Sequence, residues 1–592
     1  MINDIEKLPK GCVTRKTING KIYHYHQWSD EEGKMHYDSV SEAEAQEIKS
    51  LIEKRKQLEK ETKRRNYSGV APQLASDTGI NAVYGDPLGE MASLADGLDK
   101  RDCFAAAERY LYGPKSDKVC LLYGLRRTGK TTILRQLIRG MSPDIFSKAI
   151  YIKATVNDTM AGINHELKNL IANGYAYIFI DEVTLIDDFV DSAALFSDVY
   201  AAQGVKIILS GTDSLGFYFA SNEELYDRAV MIHTTFIPFG EHARLLGIDS
   251  IDEYIRYGGT LKAGEVRFGE DIDWEEASFR DDESTRRYID TAICRNIQHS
   301  LNCYEDGGHF RHLKTLYDRG ELTGAINRII QDMNHEFTAD VILREFRSRD
   351  LGSAAQLLRK AREEDKRTNA LDYIDTDSVL ESLKRILEIK EKEELETEIL
   401  PETAAEIREY LEDLDLIEYV DVESASQAGE PLRRTIFVQP GMRYCQAQAL
   451  VYYLMRDPEF KSLSEREKTL IAGKILEDVR GIMLEDIVLL ETRKAVSGSR
   501  RVFKLQFDVG EIDMVIYDPG TDSCQLYEIK HSDVRTPDQW KNIDNADHRA
   551  QISRRFGNIA GEYVLYRGET CITDDGREYR NVEEYLKSIN LL

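Results

Sequence analysis

The stretch from Val119 to Arg139 narrows the possible folds of this chain more than any other. An apolar run, Val119-Cys-Leu-Leu-Tyr123, leads into Gly124-Leu-Arg-Arg-Thr-Gly-Lys-Thr-Thr132, and an amphipathic segment, Ile133 to Arg139, follows. This is G-x-x-x-x-G-K-T in the order strand, loop, helix. The spacing has a chemical reason. Glycines let the backbone curl so that successive N–H groups point at the β- and γ-phosphates of a nucleotide, and the helix N-terminus adds positive potential. Gly124, Thr128, Gly129 and Thr132 belong to this phosphate-binding loop, Lys130 neutralises phosphate charge, and Thr131 places a hydroxyl on Mg²⁺. ATP with Mg²⁺ is the expected cofactor.

Further apolar runs alternate with helical segments to about Gly259, the pattern of a parallel α/β sheet. Ala176-Tyr-Ile-Phe-Ile180 ends in Asp181-Glu182. An acid at the tip of a buried strand is costly unless an ion or partner compensates it. Asp181 is expected in the Mg²⁺ shell, and Glu182 is expected to polarise the attacking water. Val205-Lys-Ile-Ile-Leu209 is followed by Ser210-Gly-Thr-Asp213. Ser210 or Thr212 is the candidate sensor of the γ-phosphate, with a simple turn as the alternative.

The strings LLYGLRRTGKTT, YIFIDEV and IILSGTDS are similar to those of prokaryotic AAA-type ATPases that carry a restriction-endonuclease-like C-terminal domain. Phe236-Ile-Pro-Phe-Gly-Glu241 and Tyr254-Ile-Arg-Tyr-Gly-Gly259 match that family's segment after the sensor strand. The resemblance covers roughly 118–288 and 401–531, with serine at 210 where threonine is more usual. It implies that Arg228 reaches a neighbouring subunit's γ-phosphate as an arginine finger. Arg126 and Arg127 are the other candidates, and an ordinary surface role is open for each. It also implies a homo-oligomer and a setting in phage or mobile-element defence.

A second constellation lies near the C-terminus. Gly481-Ile-Met-Leu-Glu485 reads as early in a helix reaching about Glu491. A strand near Val502 to Gln506 and a second, Val509 to Tyr517, follow, with Asp513 inside the second. After the turn Asp518 to Thr521 comes Gln525-Leu-Tyr-Glu-Ile-Lys530. Period-two geometry puts Glu528 and Lys530 on one face of a strand. Glu485, Asp513 and Glu528 offer the oxygen ligands that suit Mg²⁺ or Mn²⁺. The metal would lower the pKa of a bound water, and Lys530 would orient or deprotonate that water. The ordered set Glu485, Asp513, Glu528, Lys530 resembles the PD-(D/E)XK nuclease fold. Glu511 and His531 flank it as supporting residues.

The rest of the chain sets the organisation. At 592 residues it is too long for one core. We expect an α/β protein with an N-terminal hairpin-and-helix module (1–66), a linker (67–117), an AAA-type core (118–260), a helical lid or insert (261–400), a winged-helix-like unit (401–445) and a nuclease-like domain (446–592). In the first module Asn19-Gly20 signals a two-residue hairpin. Ser41 with Glu44 signals a helix start, the helix running to about Arg65. Arg15, Lys16 and Lys21 beside Tyr23, Tyr25 and Trp28 fit a nucleic-acid grip, a small core or an oligomerisation arm alike. Arg433 and Arg434 lie at the expected wing; such units bind DNA or serve as lid elements, and the acidic helix before this one favours the lid or packing role.

The net charge of −27 repels nucleic acid as a whole, so any contact must be local. Eight cysteines without C-x-x-C spacing argue against a zinc site, and no apolar run approaches the roughly 18 residues of a membrane span. With no signal-peptide core in MINDIEKLPK, a cytoplasmic location is expected. The expected function is an ATP-hydrolysing protein that couples nucleotide state to metal-dependent cleavage of nucleic acid, with DNA the first choice. The alternative is an ATP-dependent switch or scaffold whose nuclease-like domain binds nucleic acid or a protein without cutting.

Overall fold

The computed structural model describes residues 12–18, 21–29, 35–41 and scattered positions from 44 to 51. It also describes 80–589 apart from 187, 213–216, 218–224, 226, 262–277, 295–296, 298–309, 349–398, 427–430, 461–463 and 497. The chain divides into two compact units, Met1–Leu74 and Ala75–Leu592.

In the first unit β1 (Cys12–Ile18), β2 (Lys21–Ser29) and β3 (Met35–Val40) form an antiparallel sheet in that order. Ile18 faces Lys21, the register that a two-residue connection dictates. The expected capping box is present: Ser41 N donates to Glu44 Oε2 at 2.8 Å and Glu44 N to Ser41 Oγ at 3.3 Å. Most of the helix expected to follow, with its basic end at 63–65, lies outside the described residues.

The stretch expected as a linker is part of the core from Ile80 onward. β4 (Ala82–Val83) pairs with a strand of the main sheet, and α1 (Gly85–Ser93) and α2 (Phe104–Tyr112) pack on it through Leu88, Ala92, Phe104, Ala107 and Leu111. Glycine, proline and serine in this segment masked that apolar spacing. The sheet contains β5 (Val119–Tyr123), β6 (Ala149–Lys153), β7 (Tyr177–Asp181), β8 (Lys206–Gly211) and β9 (Ala229–His233), in spatial order β4-β6-β7-β8-β5-β9. Only β4 runs antiparallel. Because β8 lies between β5 and β7, its C-terminal end stands between the phosphate loop and the acid at 181. The loop feeds α3 (Lys130–Arg139), whose Ile133, Leu134, Leu137 and Ile138 are buried.

After β9 come α4 (Phe239–Leu246) and α5 (Ile251–Tyr257). Phe239, Ala243, Ile251, Tyr254 and Ile255 share a core with the C-terminal region, so no core boundary falls at 260–261. The helical region includes α6 (Leu322–Ser348); the charged run at 388–398 lies outside the described residues. Then α7 (Pro401–Asp413) leads to the hairpin β10 (Ile417–Ser424) and β11 (Leu432–Phe437), followed by α8 (Pro440–Met455). The expected boundary at 445–446 therefore lies inside a helix.

The last sheet contains β12 (Arg501–Gln506), β13 (Glu511–Asp518), β14 (Ser523–Ile529), β15 (Asn558–Tyr566), β16 (Cys571–Ile572) and β17 (Glu578–Asn581). Its order is β11-β10-β12-β13-β14-β15-β17-β16. The hairpin expected as a separate wing is thus one edge of this sheet, joined by parallel pairing of Val422 to Lys504. Across the sheet runs α9 (Glu465–Ala495). Its buried Ala472, Leu476, Val479, Met483, Ile487 and Leu490 recur at spacings of three and four. Glu485 is consequently in the C-terminal half of a 31-residue helix, not early in a short one. Gly481 reads locally as a helix start, but the neighbouring turns carry the helix through it. Finally α10 (Ala546–Phe556) and α11 (Val582–Ser588) cover the sheet.

Candidate functional site

The phosphate loop is shaped by its glycines and by what packs behind it. Gly124 has φ +140°, and a Cβ there would stand 2.6 Å from Thr234 Oγ1 and 2.7 Å from Thr235 Oγ1. Gly129, φ +91°, starts α3 from a left-handed conformation that favours glycine. Thr128 is fully buried; its hydroxyl donates to Leu125 O at 2.8 Å and lies 2.7 Å from Thr234 Oγ1. Lys130 is buried, and its Nζ donates to the carbonyls of Gly124 at 2.6 Å and Leu125 at 2.9 Å. Burial lowers its pKa to about 8, against the pull of Glu182 and Asp181. Among the described residues this buried ammonium is held by carbonyl oxygens and has no carboxylate in direct contact. The phosphate groups of a nucleotide would supply a counter-anion.

Asp181 is the hub of the adjoining site. It is fully buried, and its Oδ2 accepts from Thr131 Oγ1 at 3.0 Å, Tyr151 OH at 2.7 Å and Lys153 Nζ at 2.8 Å. Ser210 Oγ donates to Oδ1. Burial alone would raise the Asp181 pKa, but Lys153 and these hydrogen bonds hold it below the ordinary value. Thr131 and Asp181, the two residues expected to share a magnesium shell, are therefore together. Ser210 is placed against the acid. Thr212, the other sensor candidate, donates from Oγ1 to Glu182 Oε2 at 3.0 Å. Asp213 lies outside the described residues. Thr132 is half-buried in the first turn of α3.

Arg228 stands at the opposite, N-terminal end of the strands, just before β9. Its carbonyl accepts from Val119 N at 2.9 Å, and its guanidinium lies 2.7 Å from Asp198 Oδ1. The length of β5, about 13–16 Å at ~3.3 Å per residue, separates it from the loop of its own chain. It could meet a nucleotide only in another copy. Arg126 and Arg127 are exposed on the loop, and Arg127 Nη1 donates to Ser278 Oγ at 2.8 Å.

Three further residues of the nucleotide site, two on Asp181 and one on the loop, escaped the sequence reading. Tyr151 and Lys153 lie on β6, where Lys153 pairs in register with Asp181. A lysine ending an apolar run was the available signal, the same one that exposed Asp181. Arg101 had no local signal. It is buried, donates to the carbonyls of Thr128 at 2.5 Å, Thr234 at 3.0 Å and Phe236 at 2.9 Å, and forms a two-pronged pair with Glu241 at 2.5 and 3.1 Å.

The C-terminal constellation also assembles, in altered form. Lys530 Nζ lies 2.7 Å from both Asp513 Oδ2 and Glu528 Oε2, and Ile529 N donates to Asp513 Oδ2 at 2.8 Å. Carboxylate oxygens of Glu485, Glu511 and Asp513 lie within 4.8 Å of one another, a span one divalent ion can bridge. Glu511, expected only as a flanking residue, thus joins the cluster. Glu528, expected as a ligand, turns to Lys530 and to Asn542, whose Nδ2 donates to it at 3.3 Å. A second lysine, Lys504, sits among the acids: 2.8 Å from Glu485 Oε2, 3.0 Å from Glu511 Oε1 and 3.8 Å from Asp513 Oδ1.

Burial, then the Asp513 charge, raises the pKa of Glu485 and Glu528. Burial would raise Asp513 too, but Lys530 and Lys504 bring it below the ordinary value. Four carboxylates thus face two ammoniums in the cluster, an excess of acid that a divalent ion would offset.

Two cavities open on this cluster. One of about 600 Å³ is lined by Arg408, Arg433, Glu485, Lys504 and Glu511 among others. Another of about 580 Å³ is lined by Glu485, Lys530 and His531. Of the two wing arginines, Arg433 is exposed, whereas Arg434 pairs with buried Asp486 at 2.9 Å. His531 Nε2 lies 2.8 Å from Asp252 Oδ1.

Residues 116–243 match the AAA domain family. The chain therefore carries an AAA-type P-loop ATPase domain. ATP, usually with Mg²⁺, is the cofactor such a domain implies. The match spans the phosphate loop, Asp181-Glu182, Ser210 and Glu241. No curated protein matches the chain. Among solved structures, the chain is similar to PCH-2 of C. elegans, with 17% identity over 29% of this chain and 48% of that one and a TM-score of 0.18. It thus spans about half the length of that protein. The Aeropyrum pernix ORC1 protein in complex with DNA aligns at 13% identity over 66% of this chain and 100% of that one, TM-score 0.22. The S. cerevisiae Hsp104–ADP complex aligns at 12% identity over 70% and 58%, TM-score 0.22. Among the described residues no helix is long and apolar enough to cross a membrane.

Proposed function

We propose that ATP binding and hydrolysis at the AAA-type site gate metal-dependent cleavage of nucleic acid, DNA in the first instance, at the Glu485–Lys530 cluster. One observation carries this reading: α9 serves both sites. Glu485 is in the carboxylate cluster, and Glu491, six residues along the same helix or about 9 Å at ~1.5 Å per residue, accepts from Phe239 N at 2.7 Å. Phe239 begins α4, and Glu241 in that first turn grips Arg101, which holds the Thr128 carbonyl of the phosphate loop. A change in loop geometry would therefore bear on a helix that carries a cluster acid.

At the nucleotide site, Lys130 and the loop N–H groups would bind the phosphates, while Thr131 and Asp181 would hold Mg²⁺. Glu182 would orient the attacking water, with Thr212 fixing its carboxylate. Arg228 is proposed as the group offered to a neighbouring copy in a homo-oligomer. At the second site, Glu485, Glu511 and Asp513 would hold Mg²⁺ or Mn²⁺, which lowers the pKa of a bound water. Lys530, fixed between Asp513 and Glu528, would orient that water. Arg433 and Arg408 at the cavity rim would meet backbone phosphates. The protein would act in the cytoplasm, on phage or mobile-element DNA.

The test is purified protein with DNA and Mg²⁺, with and without ATP, beside Glu182→Gln and Asp513→Asn. The reading expects ATP-dependent cleavage that Asp513→Asn abolishes and Glu182→Gln alters. Cleavage that persists in Asp513→Asn overturns the nuclease half. DNA binding without cleavage in the wild type selects the switch or scaffold reading.

A further inference from the structure

The second lysine of the carboxylate cluster has no part in the cleavage scheme above, yet its position is built. Lys504 lies in an apolar strand, Val502-Phe-Lys-Leu505, and is itself buried. The pairing of β12 with β13 shifts register between Phe503 and Leu505, so that Lys504 alone faces Asp513 and Met514 and the extra residue of the bulge is on β13. The Lys504 side chain enters the cluster, and its ammonium contacts Glu485 at 2.8 Å and Glu511 at 3.0 Å, with Asp513 at 3.8 Å. These are the three residues whose oxygens converge within 4.8 Å.

We propose that Lys504 is a tethered cation that occupies the divalent-ion position and must withdraw before the ion binds. The proposal rests on the reading that Glu485, Glu511 and Asp513 hold a divalent ion. An ammonium bonded to Glu485 and Glu511 has claimed oxygen lone pairs that face the cluster, and a divalent ion gathering the same oxygens would be repelled by it. Lys530 is not equivalent: it is bonded to Asp513 Oδ2 and Glu528, on the far side of Asp513 from Lys504. A place to withdraw to exists. Lys504 lines the cavity of about 600 Å³, whose wall bears the carboxylates of Glu336 and Asp340 as well as the guanidiniums of Arg408 and Arg433. The lysine would then hold the site closed without metal, and on withdrawing it would turn to Glu336 or Asp340 in that cavity.

The test measures Mn²⁺ binding by the full chain, read by electron paramagnetic resonance without DNA. Lys504→Met is expected to tighten Mn²⁺ binding at least tenfold, and Lys504→Arg, which keeps the charge, is expected not to. In the wild type, where no variant has to fold, amine-selective labelling of Lys504 is expected to rise severalfold as Mn²⁺ is added. Unchanged or weaker binding in Lys504→Met, or labelling indifferent to Mn²⁺, overturns the proposal. Asp513→Asn separates the two readings. If wild type binds Mn²⁺ and Asp513→Asn does not, the metal site stands whatever Lys504 does. If neither wild type nor Lys504→Met binds Mn²⁺, the metal reading itself fails and takes the tethered cation with it.

Discussion

The buried pair between Arg101 and Glu241 can be tested with a single atom exchange, Glu241→Gln. Both side chains are about 5% exposed or less, and the carboxylate is two-pronged on the guanidinium at 2.5 and 3.1 Å. Glu241 also accepts from Asp102 N at 2.7 Å. The amide keeps the shape but removes the charge, which leaves a buried guanidinium facing only the carbonyls of Thr128, Thr234 and Phe236. Removing one partner of a buried pair costs about 3–5 kcal/mol. An amide still accepts one hydrogen bond, so ~3 kcal/mol is the expected loss, enough to lower the apparent melting temperature by roughly 5 °C or more. Because Arg101 fixes the Thr128 carbonyl, ATP affinity should also fall, by about tenfold for a loss of ~1.4 kcal/mol at the loop. Differential scanning fluorimetry and titration with a fluorescent ATP analogue read the two effects. The double variant Arg101→Met, Glu241→Leu removes both charges and should recover stability without recovering ATP affinity. A Glu241→Gln protein that melts within 1–2 °C of wild type and binds ATP unchanged would refute the argument.

Other outcomes follow from single contacts. Gly124→Ala should abolish ATP binding, because its Cβ would strike the hydroxyls of Thr234 and Thr235 in a backbone conformation that disfavours it; retained affinity in an ATP titration would contradict the loop geometry. Glu182→Gln should bind ATP but hydrolyse it about 10²-fold or more slowly, as read by phosphate release. Burial raises Glu491 to about 8 from an ordinary 4.5. Its stabilising contribution is then fully present below about pH 4.5 and lost as pH rises through about 8. The melting temperature should therefore fall progressively from about pH 5 to about pH 8 and level off above, and Glu491→Gln, which keeps an acceptor for Phe239 N, should remove that part of the drop.

What was legible in the sequence was whatever a strand, a loop or one helix turn could state by itself. G-x-x-x-x-G-K-T carries its flanking strand and helix, and Asp181 at the end of an apolar run declares a strand-tip acid. Asp513, Glu528 and Lys530 follow from strand periodicity, since adjacent strands of one sheet bring them together. Glu485 was read correctly as helical, but its place in the helix was misjudged, because turns far from Gly481 decide where α9 begins. The wing was misjudged for a related reason. A hairpin's own residues fix β10 against β11, while the parallel pairing of Val422 with Lys504 joins segments 82 residues apart.

The residues that were missed share one property: each does its work across the fold. Arg101 lies 140 residues from Glu241, and Glu491 lies 252 from Phe239. Neither contact leaves a period or a motif, because a buried polar group is satisfied by whatever the tertiary structure brings to it. Lys504 is intermediate. A lysine between Phe503 and Leu505 breaks an apolar run, and burying an ammonium is costly unless anions surround it. Read with the rule that exposed Asp181, it would have pointed to acids on the neighbouring strand and helix. The same rule applied to Lys153 would have pointed to Asp181 itself, its register partner. A charge inside an apolar strand thus predicts polar partners on an adjacent element. Lys153 and Lys504 stand against the acids of a candidate site, whereas Lys206, buried in β8, donates to the carbonyls of Tyr110 and Pro114.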